Sequence, residues 1–139
     1  MHLHANIESL YNFYDEHLLY LFSSKLIKEK KYIRKLISIS IDGYWDADAS
    51  NLLQHKMRGL ILCYPNLFIS VLLEYSNDSI EKFWNYILYA PYPRKKSFES
   101  DKGYQNFISQ IRSKICNKNI RIREIVDKSY NYILQTCEM

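Results

Sequence analysis

The chain has 139 residues and a mass of 16.7 kDa, which suits a single domain spanning residues 1–139. Apolar residues make up 47% and charged residues 24%, a composition typical of folded globular proteins rather than disordered ones. The three glycines are too far apart to form the glycine-rich loop of P-loop or dinucleotide-binding proteins. Few glycines and only three prolines also disfavour the many tight turns of a β-sandwich or barrel. The composition therefore predicts an all-α fold.

Apolar residues recur at spacings of three and four along most of the chain, as they do in helices that each bury one stripe. The spacing predicts a first helix from about Asn6 to Phe22 and a second from about Ser24 to Ile41. A third helix is predicted to begin at Asp46 or Asp48, because either side chain can cap the free N–H groups of a first turn. It is predicted to end at Tyr64.

Four further helices are predicted in the second half of the chain. Pro65 fits the first turn of the fourth, where its missing N–H costs nothing, and Asn77 or Asp78 is predicted to cap the fifth. The sixth spans about Lys102 to Ile115, and the seventh about Ile120 to Thr136. Since most connections are short, neighbouring helices are expected to pack antiparallel. The sequence predicts a compact stack of about seven antiparallel helices, packed as HEAT-like helix hairpins.

The two tryptophans have different expected environments. Trp84 lies at helical spacing with Ile80 and Leu88, which predicts a core residue. Trp45 follows Asp42-Gly43 in a connection between helices, where a core position and a surface position are equally compatible with the pattern.

Cysteine usage and hydropathy bear on the compartment. The cysteines are odd in number and widely spaced, which fits neither a zinc site nor a disulfide framework and predicts reduced, buried thiols: Cys63, Cys116 and Cys137. The longest uncharged run, the 15 residues from Gly59 to Leu73, is shorter than the roughly 20 apolar residues of a membrane span. The first residues lack the pattern of a signal peptide. We expect a cytoplasmic protein, or a periplasmic one if a signal peptide has been removed.

No combination of acid, base and nucleophile indicates catalysis, so an enzyme, a cofactor and a metal site are not expected. The four histidines have no cysteine or serine partner in a nucleophile pattern: His2, His4, His17 and His55. The acidic residues from Asp42 to Asp48 are spaced somewhat like a calcium loop. Counted from Asp46, however, Asn51 stands where such a loop needs glycine and Met57 where it needs glutamate.

A basic C-terminal third supports an alternative, a small helical nucleic-acid-binding or regulatory adaptor. Residues 92–139 carry ten basic and five acidic side chains. The basic residues that could follow phosphates, with aromatic residues among them, are Arg94, Lys95, Lys96, Arg112, Lys114, Lys118, Arg121 and Arg123. Four acids dilute them: Glu99, Asp101, Glu124 and Asp127. Nucleic acid is therefore not the expected partner.

The stretch from Ile37 to Pro93 resembles a protein family. It opens on Asp42-Gly43 and continues with Tyr64-Pro65-Asn66-Leu67-Phe68, then Leu72-Leu73, Phe83-Trp84, Leu88 and Pro91-Tyr92-Pro93. This order is similar to that of small all-helical bacterial immunity proteins, which bind and neutralise toxins delivered by contact-dependent or type VI secretion systems. The resemblance implies that the chain occludes the active site or docking surface of a cognate toxin domain. It implies no small-molecule substrate and no membrane.

Charge indicates which surface would bind such a toxin. Residues 42–91 carry six acidic and three basic side chains, although the whole chain has a net charge of +4. Many toxins that cleave nucleic acid are basic, and an acidic surface attracts and holds a basic partner. Acidic residues flanked by aromatic ones also suit protein recognition. The predicted toxin-binding residues are Asp42, Tyr44, Trp45, Asp46, Asp48, Glu74, Asp78 and Glu81.

Overall fold

The computed structural model describes residues 30–42, 47–89 and 101–136, without the side chains of residues 47–51. All secondary structure in these ranges is helical, and the helices pack together, so the predicted all-α stack is confirmed. The elements are α1 (Lys30–Asp42), α2 (Ala47–Cys63), α3 (Pro65–Leu72), α4 (Asn77–Leu88), α5 (Lys102–Ile111), a π-helical segment (Arg112–Cys116) and α6 (Ile120–Thr136). The first predicted helix, Asn6 to Phe22, lies outside the described residues.

Several observed helix ends agree with the predicted ones, most clearly where a single residue such as a proline or a capping aspartate defines the end. Pro65 is the first residue of α3, and α6 has the predicted bounds. α5 begins at Lys102 because the Asp101 carboxylate accepts a hydrogen bond from the Tyr104 N–H at 2.6 Å. It ends at Ile111 rather than Ile115, since the following turn widens into the π-helical segment.

The predicted cap of α4 is wrong. The N-cap is Ser76, whose hydroxyl accepts from the Ser79 N–H at 3.2 Å, whereas Asn77 and Asp78 are already helical. Asn77 instead accepts a hydrogen bond from Arg121 on α6. Ser76, Asn77 and Asp78 all suit an N-cap by residue type. Asn77 does not cap the helix because its side chain binds Arg121 of α6 instead.

The buried apolar residues form one continuous cluster with members from all six helices. Trp84 is 0% exposed, which confirms the core position predicted for it. The Phe83 ring meets the indole edge-on, with centroids 5.2 Å apart, and stacks at 6.5 Å on Phe68 of α3. The predicted apolar stripes of α3 and α4 thus pack against each other.

Side-chain contacts fix the directions of the helices. Asn77 at the start of α4 binds Arg121 at the start of α6, and Asn85 binds Ser129 farther along both helices, so α4 and α6 run parallel. α5 lies between them in the chain and runs in the opposite direction, because Tyr104 near its start donates to the Leu88 carbonyl at the end of α4. We call the end of the bundle at the α4 C-terminus the Tyr89 end and the opposite one the Ile120 end.

Candidate functional site

Two of the predicted toxin-binding carboxylates are already paired within the protein. Glu74 accepts two hydrogen bonds from the Arg34 guanidinium, at 2.9 and 3.0 Å, and lies 3.9 Å from Lys30 Nζ. Glu81 accepts from Lys128 Nζ at 3.1 Å. The charge of both carboxylates is therefore largely cancelled. Asp78 is exposed and forms no ion pair with the described residues.

Asp42 has a different environment. It is the last residue of α1, is exposed, and forms no ion pair within the described part of the chain. The C-terminus of a helix carries a partial negative charge, so a carboxylate there is unfavourable by roughly 0.3–1 kcal/mol. No basic residue occupies the last turn of α1 to offset it. No described residue thus compensates the charge of Asp42, at a position where local energetics disfavour it.

The end of α1 and the start of α2 lie toward the Tyr89 end. Arg34 of α1 binds Glu74 at the Ile120 end, so Asp42, eight residues later, lies about 12 Å farther along the helix axis toward the Tyr89 end. Gln54 of α2 donates to the Tyr86 and Tyr89 carbonyls, while Leu62, near the other end of α2, accepts from Lys114 of the π-helical segment. α2 therefore runs away from the Tyr89 end, and Ala47, seven residues before Gln54, lies about 10 Å beyond it along the helix axis.

The predicted binding residues consequently do not form one surface. Asp42 ends α1 and Asp48 lies in the first turn of α2, both toward the Tyr89 end, and the side chain of Asp48 is not among those described. Tyr44, Trp45 and Asp46 lie outside the described residues. Glu74 and Asp78 are at the Ile120 end, and Glu81 is one helical turn farther along α4.

A capping cluster that the sequence did not reveal holds the Tyr89 end together. The carbonyl oxygens from Tyr86 to Tyr89, at the C-terminus of α4, all accept hydrogen bonds from side chains of other helices. Gln54 and Arg58 of α2 and Tyr104 of α5 donate them. The Arg58 guanidinium also lies over the rings of Tyr104 and Phe107, at 5.5 and 5.0 Å from their centroids. This cluster ties the α4 terminus to α2 and α5.

Most of the described basic side chains proposed for nucleic acid are hydrogen-bonded within the protein, but only Arg112 among them is paired with a carboxylate. Arg112 pairs with Asp127 at 2.6 Å and lies over the Tyr130 ring. Lys114, Lys118 and Arg121 donate to uncharged oxygens of the α2–α3 and α3–α4 segments. Arg123 has no ion pair with the described residues, and Arg94, Lys95 and Lys96 lie outside them. Nucleic-acid binding gains no support from these contacts and stays a prediction.

The described cysteines differ in their environment. Cys116 is buried, and burial, assisted by the charge of Asp127, raises the pKa of its thiol to about 11 against the opposing charges of Arg112 and Arg123. Cys63 is exposed, which corrects the prediction that it is buried: it is the last residue of α2, turned away from the helix's buried stripe. Cys137 lies outside the described residues.

Cys116 is expected to resist alkylation while Cys63 reacts. A thiol with a pKa of about 11 stays protonated far above neutral pH, and only the thiolate attacks an electrophile. At pH 8, iodoacetamide should modify the Cys63 peptide at least about tenfold faster than the Cys116 peptide, measured by mass spectrometry. Unfolding the chain in urea should remove the difference. Equal rates in the native protein would contradict the buried position of Cys116.

Comparisons with known proteins give the chain no family. No family model matches it, and neither a curated protein nor a solved structure matches it significantly. The resemblance to immunity proteins therefore stays a prediction. Among the described residues, no group of three His, Cys, Asp or Glu side chains is placed to hold a metal ion. None of the described helices is long and apolar enough to cross a membrane.

Proposed function

We propose that this protein is an immunity protein that binds a basic toxin domain through the Tyr89 end and thereby occludes the toxin's active site. The observation that carries the proposal is the Asp42 carboxylate at the C-terminus of α1, which has no ion pair within the described ranges. A residue that is locally unfavourable and leaves its charge available is expected where a partner supplies the compensating charge.

The surroundings of Asp42 add two supporting features. In the sequence, Asp42 is followed closely by two aromatic residues and two further carboxylates: Tyr44, Trp45, Asp46 and Asp48. Aromatic side chains suit the centre of a protein interface, and the carboxylates add negative charge. Tyr89, at the same end, is 57% exposed while the carbonyls around it are held by the capping cluster. A helix end held in this way, with an exposed aromatic ring, loses little entropy on binding.

Charge reversal at Asp42 tests the proposal with little risk to the fold. Asp42→Lys places a cation at a helix C-terminus, where it is favourable, so the variant should be at least as stable as the parent chain. The partner to test is the C-terminal domain of the product of the gene immediately upstream. The affinity of the variant for this domain should be about tenfold or more below that of the parent chain, measured by calorimetry. The loss should shrink as salt is added.

Glu124→Lys is the matched control, because Glu124 is an exposed carboxylate of α6 that forms no ion pair with the described residues. This variant should bind the toxin domain within about twofold of the parent chain. Equal losses in both variants would indicate an effect of net charge alone. If the parent chain neither binds nor neutralises the toxin domain, the proposal is wrong.

A further inference from the structure

The Ile120 end carries two exposed aliphatic side chains. Ile120, the first residue of α6, is 63% exposed, and Leu73, the C-cap of α3, is 37% exposed. The two segments meet through Arg121, which follows Ile120 in the chain and whose guanidinium donates to the Leu73 carbonyl at 3.5 Å. Neither residue belongs to the surface proposed for the toxin, which lies at the opposite end of the bundle.

Three cations at the same end of the bundle are hydrogen-bonded to neutral oxygens and keep their charge. Lys114 donates to the Leu62 carbonyl at 3.3 Å, and Lys118 donates to the Asn66 amide oxygen at 2.9 Å. Arg121 donates to the Asn77 amide oxygen at 2.6 Å and to the Tyr75 carbonyl at 3.0 Å. All of these acceptors are uncharged, whereas Arg34, Arg112 and Lys128 each pair with a carboxylate.

The net charge of this end is positive. The exposed Arg123 adds a fourth cation, and the acids present are Asp78, Glu124 and Glu74. Glu74 is paired with Arg34 and Lys30, so the described part of this end has two carboxylates and four cations that form no ion pair there. Cations held by neutral oxygens lose less side-chain entropy when a carboxylate binds them, because their rotamers are already restricted.

We propose that the Ile120 end binds an acidic segment of another protein, one in which an apolar side chain lies between aspartate or glutamate residues. The apolar side chain packs on Ile120 and Leu73, and the flanking carboxylates pair with Lys114, Lys118 and Arg121. Charge complementarity argues for an anionic partner. The aliphatic pair favours a protein over single-stranded nucleic acid, because bases stack on aromatic rings or arginine planes rather than on isoleucine and leucine.

Synthetic peptides test the proposal on the full chain. The probe is a fluorescein-labelled 12-residue peptide of alternating Glu and Leu, compared by fluorescence anisotropy with the peptide in which Ser replaces every Leu. We expect the Glu/Leu peptide to bind about tenfold more tightly, the effect of burying one large aliphatic side chain. Ile120→Ser should abolish that preference, and Tyr132→Ser, which removes an exposed side chain elsewhere on α6, should leave it unchanged.

Each other outcome would overturn the proposal. A single-stranded 12-nucleotide DNA that binds as tightly as the Glu/Leu peptide would assign the surface to nucleic acid. Equally tight binding to phosphatidylserine vesicles would assign it to a membrane. If the Ile120→Ser variant still prefers the Glu/Leu peptide over the Glu/Ser peptide, Ile120 and Leu73 are not part of the binding site. All of these peptide-binding results are independent of whether a toxin binds at the other end of the bundle.

Discussion

Replacing Arg58 by methionine is expected to lower the free energy of unfolding by about 3 kcal/mol, because it removes two charge-assisted hydrogen bonds and a cation over two rings. Arg58 Nε donates to the Ile87 carbonyl at 2.9 Å and Nη2 to the Tyr89 carbonyl at 2.7 Å. Both oxygens are at the C-terminus of α4, where no intrahelical N–H is available to them. Methionine keeps an unbranched apolar side chain and a similar helix propensity while it removes the guanidinium, so the measured loss reports mainly the contacts of that group.

Two further variants separate charge from geometry. Arg58→Lys keeps the positive charge but cannot donate from two nitrogens in a planar fork, so it should lose about half as much stability. Lys56→Met is the control: Lys56 is exposed on the same helix and forms no hydrogen bond or ion pair with the described residues, so its loss should stay below about 0.5 kcal/mol. The measurement is urea unfolding followed by far-ultraviolet circular dichroism. A loss below about 1 kcal/mol for Arg58→Met would show that water replaces the guanidinium at the helix end.

The capping cluster also links stability to the proposed toxin surface. Arg58 and Gln54 hold the carbonyl of Tyr89, the exposed residue that we place in the toxin interface. A loosened α4 terminus would add an ordering cost to binding, because Tyr89 would have to be fixed when the complex forms. Weakened toxin binding in Arg58 variants would therefore reflect positioning rather than direct contact.

Local signals made part of the fold predictable. A proline without an N–H marks the start of α3, and apolar residues at spacings of three and four mark the whole length of α6. The same spacing identified Trp84 as a core residue. Each of these features depends on residues within a few turns of one another, which is the range over which a sequence pattern carries information.

The capping cluster and the pairing of the acidic residues could not be predicted, because both depend on contacts between residues far apart in the chain. Gln54 and Arg58 appear as ordinary polar residues of a helix, since their partners in α4 are 29 to 35 residues away in the chain. In the sequence, each acidic residue predicted to bind the toxin contributes one negative charge, and the pattern does not show which of them are paired. Their availability differs because Arg34, 40 residues from Glu74, neutralises that carboxylate while Asp42 has no such partner among the described residues. Charge counted along a segment therefore overestimates the surface that a partner meets.

Truncation of Trp84, the largest fully buried side chain of the described ranges, should cost more stability than the loss of any contact discussed above. The side chain is fully buried and contacts the Phe83 ring, which packs in turn on Phe68. Trp84→Ala should lower the free energy of unfolding by about 4 kcal/mol, through lost apolar burial and the cavity that remains. The measurement is urea unfolding of the full chain, followed by far-ultraviolet circular dichroism because the substitution removes a tryptophan fluorophore.

Trp84→Phe gives a second test that does not depend on the alanine variant folding. The indole Nε1–H is buried and has no hydrogen-bond partner among the described residues, which is unfavourable by roughly 1–3 kcal/mol. Phenylalanine removes this unsatisfied donor, which stabilises the fold. It also leaves a cavity, smaller than that of alanine, which destabilises the fold, so the two effects on the free energy of unfolding oppose each other. The net loss should be about 1 kcal/mol, well below that of the alanine variant. If Trp84→Phe loses as much stability as Trp84→Ala, the Nε1–H must have a partner in solution, and removing that hydrogen bond would account for the additional loss.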